Sequence, residues 1–482
     1  MHTLKNYHKY TSIFILLLFV AAGCKNYKAV TVKSAMVLPD TFERTTDTTN
    51  AGNTPVRSFF RDAYLLQLID TALHANLDLQ GALQRIQMAG ANLKYSKSLL
   101  LPTIDFNASA GIERYGDYTM NGVGNYDTNL SPNINDKQRI PNPTPDYFIG
   151  LRSSWEIDIW GKLNNQKKAA LARFLATQSG FRLITTELAA EIASQYYQLL
   201  ALDLELNIIK RNIVLQENAL EIVKVQKLGG RATELAVQQF EAQLAHTRGL
   251  QYTTSQQITE TENQLRLLTG KFNAPVLRDT SIMTLTMPEK LKTGVPTQLL
   301  LNRPDIRQAE LELTALNADI RSARAAFFPS LTLTPYAGYN AFKAAVLFNP
   351  GSAVFGIIGG LTAPLLNRSR IKSNYNYKVA EAKAALYGYQ KAVISGYQEV
   401  MNSLKGMENY SKFFSYKQQE VNSLKNAVQV SNDLYLVGRA SYLEVITAQR
   451  NVLDAELEMA NAKKNIFLNE VSLYRALGGG WK

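Results

Sequence analysis

Cysteine is all but missing from this chain. A single thiol, Cys24, serves 482 residues, so no internal disulfide can form and no paired-cysteine metal site exists. Histidine is nearly as scarce. His2 and His8 lie at the extreme N-terminus, and His74 and His246 stand singly in helical stretches. No H-E-x-x-H pair, phosphate-binding glycine loop or catalytic set is legible. The oxygen-rich stretch "NYDTNLSPNINDK" lacks the spacing of a calcium loop. The expectation is a protein that is not an enzyme and holds no metal. Dense basic blocks are absent too. The net charge is +12, from 52 basic and 40 acidic side chains, but the cations are scattered. No RNP-like, finger or helix-turn-helix pattern accompanies them, so nucleic acid is not an expected partner. A long hydrophobic run is also lacking. Ile13–Ala22 is about ten residues, against the roughly 20 that a membrane-spanning helix needs.

What that short run does fit is an export signal. Lys5 and Lys9 precede it, and Ala21-Ala22-Gly23 offers small residues at a cleavage point. Residues 1–23 read as a signal peptide. Ala-Ala-Gly-Cys resembles the lipobox of bacterial lipoproteins, with Ala21 where leucine is usual, so Cys24 is expected to become a lipidated N-terminus. One such terminus carries two or three acyl chains, enough for stable attachment. Residues 24–60 follow as an extended, lipid-anchored segment rich in Thr, Asp and Asn, with no helical period.

The remainder is written twice. "NLDLQGALQRIQMAGANLKYSKSLLLPTIDFNASAG" at 76–111 aligns with "RPDIRQAELELTALNADIRSARAAFFPSLTLTPYAG" at 303–338. Asp78 falls on Asp305, Pro102 on Pro329 and Gly111 on Gly338. Further on, Gly230 pairs with Gly438, Glu262 with Glu470 and Gly270 with Gly478. Residues 61–271 form repeat one, 272–296 a linker, and 297–482 repeat two. Repeat one carries the larger loop, Tyr115–Asp146 against Asn340–Ser352.

Each repeat holds two stretches of period two. Ile104, Phe106, Ala108, Ala110 and Ile112 alternate with polar residues, and Ile149, Leu151, Trp155 and Ile157 do the same. In repeat two the series are Leu331, Leu333, Ala337, Tyr339 and Phe355, Ile357, Leu361, Ala363, Leu365. Each stretch is long enough to be a tilted strand crossing a bilayer. Trp155, Trp160 and Tyr339 are candidates for an interfacial aromatic belt or for ordinary packing. Elsewhere the pattern is helical. From about Leu163 to Lys227, and from about Ile371 to Leu436, no proline interrupts. At ~1.5 Å per residue, each run would reach on the order of 100 Å. Gly229-Gly230 and Gly438 end these runs, and Gly270 and Gly478 end the returning ones. Asp305 is expected to cap the helix after Pro304, with Asp78 in the same role in repeat one. Pro102 and Pro329 stand where helix gives way to strand.

Four strands cannot seal themselves in lipid, where an unpaired edge has no water to bond. Transmembrane barrels begin at about eight strands, so several chains must contribute to one barrel, with polar faces inward.

The stretches "LLLNRPDIRQAELELTALNADIRSARAAFFPSLTLTPYAG", "WEIDIWGKLNNQKKAA", "YLEVITAQRNVLDAELEMANAK" and "VSLYRALGGGW" resemble the TolC-like outer membrane factors. The likeness is to the lipidated OprM/NodT-type lipoproteins of multidrug efflux systems, and it covers nearly all of the mature chain. It implies a mainly α fold with membrane β: a homotrimer whose twelve-strand barrel, four strands per chain, continues into a long periplasmic helical barrel. It further implies a periplasmic adaptor and an inner-membrane transporter of the resistance-nodulation-division type as partners, beside outer membrane lipid. By the same resemblance the turns at Gly230-Arg231 and Gly438-Arg439 meet the adaptor. Leu443, Thr447 and Arg450 fall on the family's constriction rings. Thr447 replaces an aspartate there, and Glu444 is a candidate substitute for its charge.

The leading expectation is a passive export duct, gated at its periplasmic tip. A rival is a coiled-coil lipoprotein adaptor without a pore, which requires a lipoyl-like β domain instead of four amphipathic strands. A carbohydrate-binding surface lipoprotein is a third reading, disfavoured by the length of the helices.

Overall fold

The computed structural model describes residues 39–42, 49–278, 281–287 and 292–481. Cys24 and the signal segment 1–23 lie outside the described residues. Apart from short helical turns, the elements run α1 Ala63–Ala75, α2 Leu77–Ser98, β1 Thr103–Glu113, α3 Met120–Leu130, β2 Thr144–Ile157, α4 Lys162–Leu228 and α5 Glu234–Leu268. Repeat two adds α6 Pro304–Ala325, β3 Ser330–Ala341, β4 Ala353–Thr362, α7 Arg368–Leu436 and α8 Tyr442–Ala476. The long proline-free runs are unbroken helices of 67 and 69 residues.

The chain divides into two compact units. In the first, 88–174 and 312–386, the strands pair in the order β1-β2-β3-β4, every neighbour antiparallel. Phe106 faces Leu151, Leu151 faces Ala337, and Ala337 faces Phe355. Residues opposite one another share a face, so a single apolar band crosses all four strands. Asp105 opposite Arg152, Asn107 opposite Gly150 and Thr332 opposite Gly360 belong to the other face. The alternation fails at Phe148. This residue lies on the polar face and is nevertheless buried, with the Arg152 guanidinium 4.6 Å from its ring centre. Strand β2 starts at Thr144, opposite Glu113 of β1, earlier than the pattern alone implies. Strands β1 and β4 are the sheet's two edges.

The loop Tyr115–Asp146 contains a helix that its glycines and asparagines conceal. Helix α3 is capped by Thr119 Oγ1, which accepts from the Gly122 amide at 3.1 Å. Asn129 holds it by donating to Ile140 O at 2.9 Å and accepting from the Ile140 amide at 2.8 Å. On the helical side of this unit, Leu313, Leu316 and Ile320 of α6 pack on Tyr375 and Ala382 of α7. Arg173 bridges Asp319 at 2.5 Å.

The second unit, made of the described residues among 34–87, 175–311 and 387–482, is helical. Its largest core gathers Leu65, Ile69, Ile192, Tyr196, Leu199, Leu265 and Ile282. One sequence expectation changes here. The N-terminal segment is not simply extended: Val56–Phe59 is helical, Phe60 is buried, and Phe59 stacks on Tyr474 with ring centres 4.0 Å apart. The described part of the linker 272–296 packs as a strap on the helices. Arg278 pairs with Asp203 at 2.6 Å and Glu262 at 2.8 Å, Ile282 is fully buried, and Leu285 O accepts from the buried Lys463 at 2.9 Å.

The duplication reappears as equivalent bonds. Asn76 Nδ2 donates to Leu268 O at 3.0 Å in repeat one, and Arg303 Nη1 donates to Ala476 O at 3.0 Å in repeat two. These pairs correspond in the alignment. They also correct the capping assignment. Asn76, not Asp78, caps α2 by accepting from the Leu79 amide at 3.0 Å. Asp305 lies inside the first turn of α6, and its carboxylate is taken up by Arg303 at 2.7 Å and 3.1 Å. Asp78 likewise lies inside the first turn of α2. Acids there still favour the positive helix end. Pro102 and Pro329 immediately precede β1 and β3, a few residues after the helices have ended.

Candidate functional site

Two helical hairpins, α4–α5 and α7–α8, end in turns built alike. In each, a glycine occupies the left-handed region: Gly230 with φ +71 and Gly438 with φ +76. The Arg231 amide donates to Gln226 O at 2.8 Å, and the Gly230 amide to Lys227 O at 3.0 Å. The Arg439 amide donates to Leu434 O at 2.8 Å, and the Gly438 amide to Tyr435 O at 3.1 Å. This is the paired-bond helix stop that glycine permits. The turns therefore hold a fixed shape while Arg231 and Arg439 stay exposed at their ends.

The turns differ in what flanks them. Lys227 and Glu234 form an ion pair across the first turn. The corresponding residues of the second are Tyr435 and Tyr442, which pack against an apolar cluster containing Phe240, Val445 and Leu453. The buried Tyr435 hydroxyl has no bonding partner among the described residues.

Helix α8 leaves its turn through a capping box. The Ser441 amide donates to Glu444 Oε2 at 2.6 Å. Glu444 is therefore tied to its own helix end while its carboxylate remains exposed. Leu443, Thr447 and Arg450 do come together. All three are exposed, at spacings of four and three that place them on one helical stripe. The acid that sequence reasoning missed is Asp454, one turn beyond Arg450 on the same stripe and 3.9 Å from its Nε. Its i+4 spacing was the available signal.

The opposite face of α8 is buried against α4. Glu456 sits there at 5% exposure. It meets Lys425 at 2.7 Å and Arg211 at 3.6 Å, and accepts from the Asn212 side-chain Nδ2 at 3.4 Å. Gln216 and Gln449 are also buried, with side-chain atoms that find no partner. Buried polar groups of this kind cost stability unless bonded. The two hairpins thus meet along a seam held by a charged node amid imperfectly satisfied amides.

Further along α8, Glu470 lies half-buried near Arg61. Burial pushes its carboxyl up to about 7, and Arg61 only partly opposes this. Burial lowers the Lys463 ammonium in the same helix. Among the described residues no histidine, cysteine, aspartate or glutamate cluster is arranged to hold a metal ion. No described helix is long and apolar enough to cross a membrane.

Comparison with known proteins gives a consistent picture. The family described as outer membrane efflux protein matches the chain twice, over 68–271 and 295–479. The solvent efflux pump outer membrane protein SrpC of Pseudomonas putida is 29% identical over 425 residues, covering 88% of this chain and 87% of its own length. The probable outer membrane lipoprotein SilC of Salmonella typhimurium is 28% identical, covering 97% and 98%. Among solved structures, CusC superposes with a TM-score of 0.80 at 26% identity, covering 94% of this chain and 99% of its own. The open state of the MtrE outer membrane channel of Neisseria gonorrhoeae gives a TM-score of 0.80 at 25% identity, covering 94% and 98%.

Proposed function

Because the chain belongs to the outer membrane efflux protein family, we propose that it forms, as a homotrimer, the exit duct of a tripartite export assembly. The observation that carries this reading is the in-register sheet. One apolar band spans four strands whose two edges, β1 and β4, have no neighbouring strand among the described residues. In lipid such edges must be paired. Three copies joined β1 to β4 give a closed barrel of twelve strands, with Asp105, Arg152 and Thr332 facing its water-filled interior. The adaptor alternative needed a different β domain from the one present.

Cys24 carries the covalent lipid in this reading, and no other cofactor is invoked. The turns at Gly230-Arg231 and Gly438-Arg439 are the adaptor contacts, and an inner-membrane transporter supplies the energy and selects the cargo. The relatives span a solvent efflux pump and a cation efflux system by name, so the wall is a general conduit. The stripe Leu443, Thr447, Arg450 and Asp454 lines the narrow periplasmic end. The polar seam around Glu456 lets the second hairpin shift against the first, which loosens that end on adaptor contact.

Reconstitution of the acylated protein into planar bilayers tests the reading. Detergent-resistant trimers with low resting conductance are expected, and Leu443→Ala should raise single-channel conductance. A monomeric, non-conducting product would overturn the duct. Unchanged conductance in Leu443→Ala would remove that residue from the gate.

A further inference from the structure

The end of the sheet nearest the long helices opens into a cleft of about 680 Å³, within the range of small-molecule sites. We propose that it binds an anionic phospholipid of the leaflet on the periplasmic side, with an acyl chain against its apolar wall and the phosphate at Arg370. The proposal rests on the outer membrane placement.

The apolar wall is preformed. Trp160 stacks on Phe328 with ring centres 4.8 Å apart, and its indole N–H is spent on Pro329 O at 2.7 Å. The ring is thereby fixed as a plate with no donor left to offer. Leu365 and Leu366 stand beside it, Leu366 at full exposure. Ile157 lines the cleft and belongs to the sheet's apolar face, opposite Leu331, which is itself opposite Leu361, so the membrane-facing band reaches the cleft. Continuity with that band identifies the occupant as lipid.

The charges select its headgroup. Two acids line the cleft, and both are already satisfied. Glu156 accepts from Lys162 Nζ at 2.7 Å and 3.0 Å. Asp158 accepts from the Leu163 amide at 3.0 Å and the Asn164 amide at 2.7 Å. Arg370 also lines the cleft, is exposed, and has no acidic partner among the described residues. It belongs to the first turns of α7, where Arg368 and Lys372 add like charge and no acid is present. Cations at a positive helix end oppose the helix dipole. A phosphodiester in the cleft reverses that penalty, and a basic site at membrane depth is the kind that anionic headgroups seek. A free phosphate would leave the apolar wall unused. The acyl chains on Cys24 would leave Arg370 unpaired.

The test is lipid retention by the full-length acylated trimer in nanodiscs of equal phosphatidylglycerol and phosphatidylethanolamine, read by native mass spectrometry with conductance recorded in parallel. Phosphatidylglycerol should be retained in preference. The double variant Arg368→Gln/Arg370→Gln should reduce its retention about tenfold, the loss of a charge-assisted hydrogen bond. Leu366→Asn should lower retention of both lipids. Lys383→Gln, further along the exposed surface of α7, should leave it unchanged, and Cys24→Ala should keep the preference. Equal retention of the two lipids, undiminished phosphatidylglycerol in the arginine variant, or loss of bound lipid in Cys24→Ala alone would each overturn the site. Conductance reports separately on the duct, so a failed lipid site and a failed channel are distinguishable.

Discussion

At the scale of single residues, the duplicated positions show what one substitution can change. Asn76 and Arg303 occupy equivalent places and bond equivalent carbonyls, yet only the arginine brings charge into the interior. It is 7% exposed and is held by Asp305 and by Glu399 at 2.9 Å. Arg303→Ala would leave Asp305 and the Ala476 carbonyl without this donor and Glu399 with only the longer Arg475 contact at 3.5 Å. Removing one partner of a buried pair costs about 3–5 kcal/mol, so a large drop in thermal midpoint is expected, against a drop of about 1–2 kcal/mol for Asn76→Ala. Glu470 shows the converse. Its counterpart Glu262 is held by Arg266 and Arg278, both at 2.8 Å, but the residue aligned with Arg266 is Tyr474. The acid remains while its cation is gone. With its folded pKa raised to about 7, the protonated form favours the fold. The stabilisation is complete below about pH 4.5 and is lost as pH rises through 7. Unfolding measured across that window should show stability falling by up to about 3 kcal/mol, and Glu470→Gln should flatten the slope. The alignment makes the pairing of Glu262 with Glu470 legible. It makes the replacement of Arg266 by Tyr474 legible too, but not the second cation on Glu262, Arg278, which comes from the strap outside the repeat.

At the scale of elements, the four glycine stops look identical in sequence and differ in space. Gly438 has φ +76 and nothing within 4 Å of an added Cβ. Gly438→Ala should therefore cost only the left-handed penalty, about 1–2 kcal/mol, felt as faster amide exchange around the turn. Gly478 has φ +86, and a Cβ there would lie 2.6 Å from Asn302 O. Gly478→Ala adds a clash with backbone and should lower the midpoint of the whole unit. Both glycines follow from helix-stop chemistry. The closeness of Asn302 does not, since it comes from a segment far away in sequence. The caps teach the same lesson. Asp78 and Asp305 stand at plausible capping distances from their helices, but the true cap of α2 is Asn76, whose amide group serves two elements at once. Helix α3 was hidden for a related reason: its stability comes from the Asn129–Ile140 bonds rather than from its own propensity.

At the scale of the whole molecule, the sheet predicts how the chain tolerates charge. Ile357 faces Pro335 on the apolar side, and Ile358 faces Thr334 on the other. An arginine on the lipid side of a barrel costs about 2–4 kcal/mol near the midplane. Ile357→Arg should therefore diminish the heat-modifiable trimer band. Ile358→Arg, one residue on, should preserve trimers and alter conductance and ion preference instead. If the two variants behaved alike, the assignment of faces would fall.

The sequence alone determined the tandem duplication, the proline-free helical runs, the glycine turns and the two-sided strands. Each is a local property: a period, a stop signal or an apolar alternation needs only near neighbours to be enforced. Tertiary structure decided the rest. It decided that Arg278 of the strap pairs with Glu262, that Asn76 bonds Leu268 O while capping α2, that Asn302 closes on Gly478 and that Arg370 keeps an unanswered charge in its cleft. Those outcomes depend on which groups far apart in the chain come within bonding distance, and burial then fixes their energy. No window of sequence contains that information.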